Sequence, residues 1–157
     1  MSLWVPFLPL RLVVKGVSII LADRYAGAVN TTDRNEKPSS DQPLEELVGE
    51  WVAFPDLAER WDIPVTRVHN MVSDGRLLAS RIGENAYRAV PALFVQEDGP
   101  LEALRGTVSV LKDAGFTEDQ SIRWLFTDDE SLPGRPVDAL REGRKTEIRR
   151  RAQALAW

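Results

Sequence analysis

Between Trp51 and Val95 the apolar positions recur at helical spacing twice, with a break between. Leu57, Ala58 and Trp61 form the first set, Asp62-Ile63-Pro64 interrupts, and Val68, Met71 and Val72 form the second. Apolar residues three and four apart lie on one face of a helix. The pattern therefore predicts two short helices joined by a tight turn. Pro55 suits the first turn of the first helix, where its missing N–H has no partner to lose. Ala53 and Phe54 are poor N-caps, so packing must start that helix. Asp74-Gly75 stops the second helix, and two short β-type runs flank Gly83-Glu84-Asn85. Two helices joined by a short turn, the second exposed, form the unit that lays a helix in the major groove. The spacing also fits a helical hairpin inside an ordinary α+β core. The step Asp74-Gly75-Arg76-Leu77 into a hairpin favours the DNA-binding unit, because it supplies a wing as well.

The second half carries helical periodicity throughout. Arg105 to Ala114 places Val108 and Leu111 on one face, and Gly115 follows as a C-cap. Thr117-Glu118-Asp119-Gln120 is a capping box opening a helix through Phe126. Trp124 and Phe126 read as core anchors. Asp128 to Pro136 is rich in turn residues. A last helix is expected from about Pro136 to Ala156, with Val137, Leu140, Ile148, Ala152 and Leu155 inward. Arg141, Arg144, Lys145, Arg149, Arg150 and Arg151 would form its outer face, suited to phosphate or a partner.

The opening segment fits no membrane or export template. Residues 1–30 are apolar, yet Pro6, Pro9, Arg11, Lys15 and Gly16 interrupt them. A span needs about 20 nearly unbroken apolar residues. A secretory signal places its charge before the apolar stretch. The composition changes sharply beside Val29, which marks that residue as a candidate true start. Residues 30–43, NTTDRNEKPSSDQP, lack apolar periodicity and read as a disordered tail or linker. Thr31 and Thr32, followed by Asp33, stand where a kinase could reach them.

Composition narrows the chemistry. With no cysteine and a single histidine, His69, disulfides, cysteine-ligated zinc and cysteine nucleophiles are excluded, and most histidine chemistry with them. Neither a Gly-rich phosphate loop nor a recognisable carboxylate pair occurs. No catalytic residue, metal site or cofactor is expected, and the chain reads as a cytoplasmic non-enzyme. The net charge of −4 sits awkwardly with nucleic acid, whose phosphates dominate affinity. The charge is segregated, however. Residues 96–130 hold nine acidic against three basic residues, and residues 135–157 hold seven basic against three acidic.

Within the winged unit, Thr66, Arg67, His69, Asn70 and Ser73 point away from the Val68/Met71/Val72 face. Arg and Asn can bond guanine and adenine edges in bidentate fashion. Thr66 and the helix-start N–H groups suit phosphate. His69 reads as polar filler near the interface. Arg76 joins the candidate DNA-binding set. In the hairpin, Arg81 and Arg88 could grip the backbone, with Tyr87 packing between strand and groove. Glu84 stands at the tip, where a DNA-inserting wing usually carries Arg or Lys, so the wing is expected to be weak.

Residues 50–157 resemble the actinobacterial winged-helix DNA-binding proteins that are substrates of a membrane Ser/Thr kinase. The resemblance is carried by FPDLAERWDIPVTRVHNMVSDGRLLA, LKDAGFTEDQSIRWLFTDDESL and RPVDALREGRKTEIRRRAQALAW. It implies a winged first half, a helical second half and an arm whose Thr phosphorylation weakens DNA binding. The arms do not align, so Thr31 and Thr32 are not carried over from the family's phosphosite. The hairpin and its helix also resemble excisionase-like helix-turn-helix proteins. RWLFTDDESLPGRPVDAL is similar to the C-terminal domain of antitoxins that pair with ADP-ribosylating toxins, a helical dimerisation and toxin-binding unit.

The expected architecture is mainly α with some β. A disordered arm over 1–43 is expected to precede a winged helix-turn-helix over 44–95 and a helical domain over 96–157. Double-stranded DNA, a Ser/Thr protein kinase and a second copy of the chain are the expected partners. The competing reading is an antitoxin-like interaction module.

Overall fold

A computed structural model of the chain describes residues 41–156. Thr31, Thr32, the candidate start at Val29 and nearly all of the expected arm lie outside the described residues. The described part is a winged helix-turn-helix followed by a helical region.

A short helix α1 (Leu44–Val48) leads into strand β1 (Trp51–Ala53). Helix α2 (Phe54–Arg60) follows without a side-chain cap at Ala53, and Pro55 sits in its first turn. Packing starts it instead: Phe54 and Leu57 are buried at 3% and 0% exposure. The turn into α3 (Val65–Ser73) closes through Ile63 N–H to Ala58 O at 2.9 Å, with Asp62 left-handed at φ 52°. That closure is a Schellman turn with Asp in the position where Gly is usual. α3 buries Val68, Met71 and Val72. Gly75, at φ 73°, ends it by the same device, with Arg76 N–H donating to Met71 O at 2.8 Å.

The wing is β2 (Ser80–Ile82) and β3 (Tyr87–Pro91), antiparallel. β3 also pairs with β1, giving the sheet order β1-β3-β2. The strand character of Trp51–Ala53 was not legible, because three residues are too few to show a period of two.

After a 3-10 turn at Ala92–Phe94 come α4 (Leu104–Asp113) and α5 (Glu118–Phe126). Both halves of the Thr117/Gln120 capping box form, at 3.1 and 2.9 Å. The last helix departs from expectation, because it is two helices, α6 (Pro136–Arg141) and α7 (Lys145–Ala154). Gly143 at φ 91° breaks it, and Arg144 N–H closes onto Ala139 O at 2.9 Å. The break lets α6 pack on α5 while α7 packs on α4. Leu155, expected inward, lies past the end of α7 and is 40% exposed.

One apolar cluster joins everything, running from Phe54 and Val68 through Val90 and Phe94 to Leu125, Leu140 and Ile148. Phe94 meets Phe126 edge to face with ring centroids 5.6 Å apart. Among the described residues no helix is long and apolar enough to cross a membrane. Nor does any group of three or more His, Asp or Glu among them stand close enough to hold a metal.

Candidate nucleic-acid interface

Helix α3 presents Thr66, Arg67, His69, Asn70 and Ser73 to solvent, all exposed. Its amphipathic period leaves them no other place once Val68, Met71 and Val72 are inside. Val65, at the first position of the helix, is also exposed, at 39%. His69 does more than fill space, because its ring meets Phe54 edge-on with centroids 4.7 Å apart. The Arg88 guanidinium lies over that same Phe54 ring, 5.2 Å from its centroid. An aromatic at the start of α2 thus ties the outer face of α3 to the wing. No sequence period could have shown this, since the three residues come from separate elements.

On the wing, Arg81 and Arg88 are register partners and share one face. Arg81 is exposed and donates from one guanidinium nitrogen to Ala86 O at 3.3 Å, bracing the hairpin turn. Arg88 is half-buried, 3.8 Å from a carboxylate oxygen of Glu118 on α5. Tyr87 is 49% exposed. Its ring lies against Gly83 at the hairpin tip, where an added Cβ would meet it at 3.0 Å. Gly83 N–H donates to Glu45 of α1 at 3.2 Å. Arg76 is half-buried and lines a pocket of about 300 Å³ with Asp74, Glu102 and Arg105. It is not on the exposed face of α3.

The basic face expected at the C-terminus is largely engaged within the fold. Arg144 and Arg151 both pair with Glu147, at 2.8 and 2.9 Å. Arg151 also reaches Asp129 at 3.6 Å and Ser131 at 2.9 Å. Arg141 donates to Leu93 O at 2.8 Å, and Arg149 lies against the backbone of Gly106 in α4. Hydrogen bonds from the Arg144 side chain hold the Glu147 carboxyl below the usual carboxylate range. Bonds from the Ser131 side chain and backbone do the same for Asp129. Lys145 and Arg150 remain exposed. The arginines clustered in sequence because α7 must clasp the loop before α6 and lie along α4, two tasks invisible in a helical projection.

Residues 38–95 match the family described as DNA-binding protein Rv2175c, wHTH domain, and residues 101–156 match the Rv2175c C-terminal domain of unknown function. The DNA-binding protein Rv2175c of Mycobacterium tuberculosis (strain ATCC 25618 / H37Rv) is 34% identical over 130 residues, spanning 74% of this chain and 83% of the relative. The chain belongs to the Rv2175c family. An NMR structure of Rv2175c superposes with a TM-score of 0.62 at 30% identity, covering 76% of this chain and 84% of that one. Rv2175c family members are described as DNA-binding winged-helix proteins, not as enzymes. The C-terminal match takes in RWLFTDDESLPGRPVDAL, the segment resembling the antitoxin domain.

Proposed function

We propose that this chain is a cytoplasmic regulator of transcription or nucleoid structure that binds duplex DNA through α3, modulated by Thr phosphorylation of its arm. The observation that carries the reading is the outer face of α3, exposed along its length and joined through His69 and Phe54 to Arg88 of the wing. In this reading Arg67 and Asn70 reach base edges while Thr66 and Ser73 meet phosphate or sugar. Arg81 and Arg88 contact the flanking backbone. Glu84 at the tip, with Gly83 N–H already bonded to Glu45, favours a wing that rides on the backbone over one that enters the minor groove. Family membership supports DNA as the partner.

Titration of the full chain against random duplex at several salt concentrations tests this. Affinity should fall steeply with salt, because each phosphate neutralised contributes about −0.9 to the log–log slope. A slope worth fewer than about two contacts, or no binding at low salt, removes the DNA reading. For the arm, phosphate at Thr31 or Thr32 would add about −1.5 to −2 charges. A Thr31→Asp/Thr32→Asp variant should then bind DNA more weakly than wild type at matched salt. A chain lacking the arm separates added repulsion from a lost contact, and equal affinity in all three proteins would make the arm inert.

A further inference from the structure

Glu118 is the first residue of α5, outside the winged unit in sequence, yet its carboxylate faces the wing. One oxygen, Oε2, accepts the Ala79 N–H at 3.2 Å and stands 3.8 Å from Arg88 Nη2. The three groups border a cleft of about 450 Å³ that Arg81 also lines. An anionic oxygen receiving a backbone N–H just ahead of a strand and facing a guanidinium is how a wing holds a DNA phosphate. Arg88 and Glu118 are each about one third exposed, 33% and 37% in their side chains, so both are within reach of a ligand.

We propose that Glu118 acts as an internal substitute for a DNA phosphate, and that this residue of the C-terminal region sets the DNA affinity of the wing. Arg88 stands directly across from Arg81, and like charges opposed across two strands repel. The carboxylate relieves that repulsion in the free protein. On DNA, a phosphate takes over the task only by displacing Glu118 from Arg88 or by tolerating its charge. Either route subtracts from binding. Two contacts hold the arginine ready against that repulsion: the Phe54 ring beneath it and the Glu118 carboxylate beside it. The proposal rests on the DNA-binding reading and adds to it a residue that no helix-turn-helix pattern would select.

The test uses the full chain and a random-sequence duplex, read by fluorescence anisotropy. Glu118→Gln keeps an oxygen for the Ala79 N–H and removes the charge. It should tighten Kd about two- to fivefold at low salt and steepen the log–log salt slope by about 0.9, one added phosphate contact. Asp128→Asn makes the same charge change at an exposed position beyond the far end of α5, more than about 12 Å along the helix from Glu118 and outside the cleft. It should shift Kd less than about twofold at about 0.1 M salt, where exposed charges beyond about 10 Å are screened. Adding Glu118→Gln to Arg88→Gln should give no more than the Asp128→Asn effect. Equal gains from Glu118→Gln and Asp128→Asn would overturn the proposal. So would the full gain persisting without Arg88, because either result means general repulsion. Binding by wild type with no gain in Glu118→Gln sinks this inference alone. Absence of binding in every variant removes it together with the DNA reading.

Discussion

Arg67 and Asn70 differ from Val68 and Met71 by one position each, yet their substitutions should have opposite signatures. Both polar residues are exposed on α3, where replacement usually changes stability by no more than about 0.5 kcal/mol. Arg67→Ala and Asn70→Ala are expected to weaken DNA binding while leaving the melting temperature nearly unchanged. A large fall in melting temperature would place them in the core. Ala86 offers a test of the hairpin itself. It sits at φ 50°, a left-handed conformation that costs a residue with a Cβ about 1–2 kcal/mol. Glycine removes that cost and returns about 0.4–1 kcal/mol through a more flexible unfolded chain. Ala86→Gly should therefore raise stability by up to about 1 kcal/mol in urea unfolding. A lower midpoint would contradict the left-handed turn. The faces of α3 were legible at this scale because a 3.6-residue period sorts them. The Arg88–Phe54–His69 stack was not, since it is made only when the chain returns 34 residues after Phe54.

Elements were read well where a stop or start signal is local. The Thr117/Gln120 box and the glycines at 75 and 115 mark boundaries by their own chemistry. Thr117→Ala should cost about 1 kcal/mol, as loss of an N-cap does, measurable as a lower thermal midpoint. An unchanged midpoint would mean that packing alone holds the start of α5. Gly143 carried the same kind of signal as those glycines. Its signal is masked in the sequence, because the apolar period resumes in phase at Ile148 and a lone glycine in a helical pattern is often tolerated. The loop between α5 and α6 is held by Asp129, whose carboxyl is kept low by Ser131 and by Arg151. A carboxyl depressed in the fold adds stability that is present above its ordinary value of 3.8 and lost as pH falls through the lowered value. Asp129→Asn should destabilise the protein at neutral pH. It should also leave a shallower loss of stability below about pH 4 than wild type shows. Parallel acid-unfolding curves for the two proteins would argue against the clasp.

At the scale of the molecule the apolar cluster runs without interruption from the wing to α7. Ile148 is wholly buried at its far side, so Ile148→Ala should cost about 2–5 kcal/mol. Because the cluster is shared, amide exchange should quicken at Ala89 and Val90 in β3 as well as in α4 and α7. Faster exchange in the helices alone would mean that the halves unfold separately. Polar bonds cross the same boundary: Trp61 Nε1 to Gln96 O at 3.0 Å, Arg141 to Leu93 O, and Ala79 N–H to Glu118. The consequence reaches beyond stability to modularity. Many helix-turn-helix units behave as cassettes that can be cut from one regulator and grafted onto another. Here a cut after Val95 would strip Phe94 of its partner Phe126 and Ala79 of its acceptor Glu118, leaving a raw apolar surface where the graft should join. A chimera that borrows this reading head has to take α4 through α7 along with it.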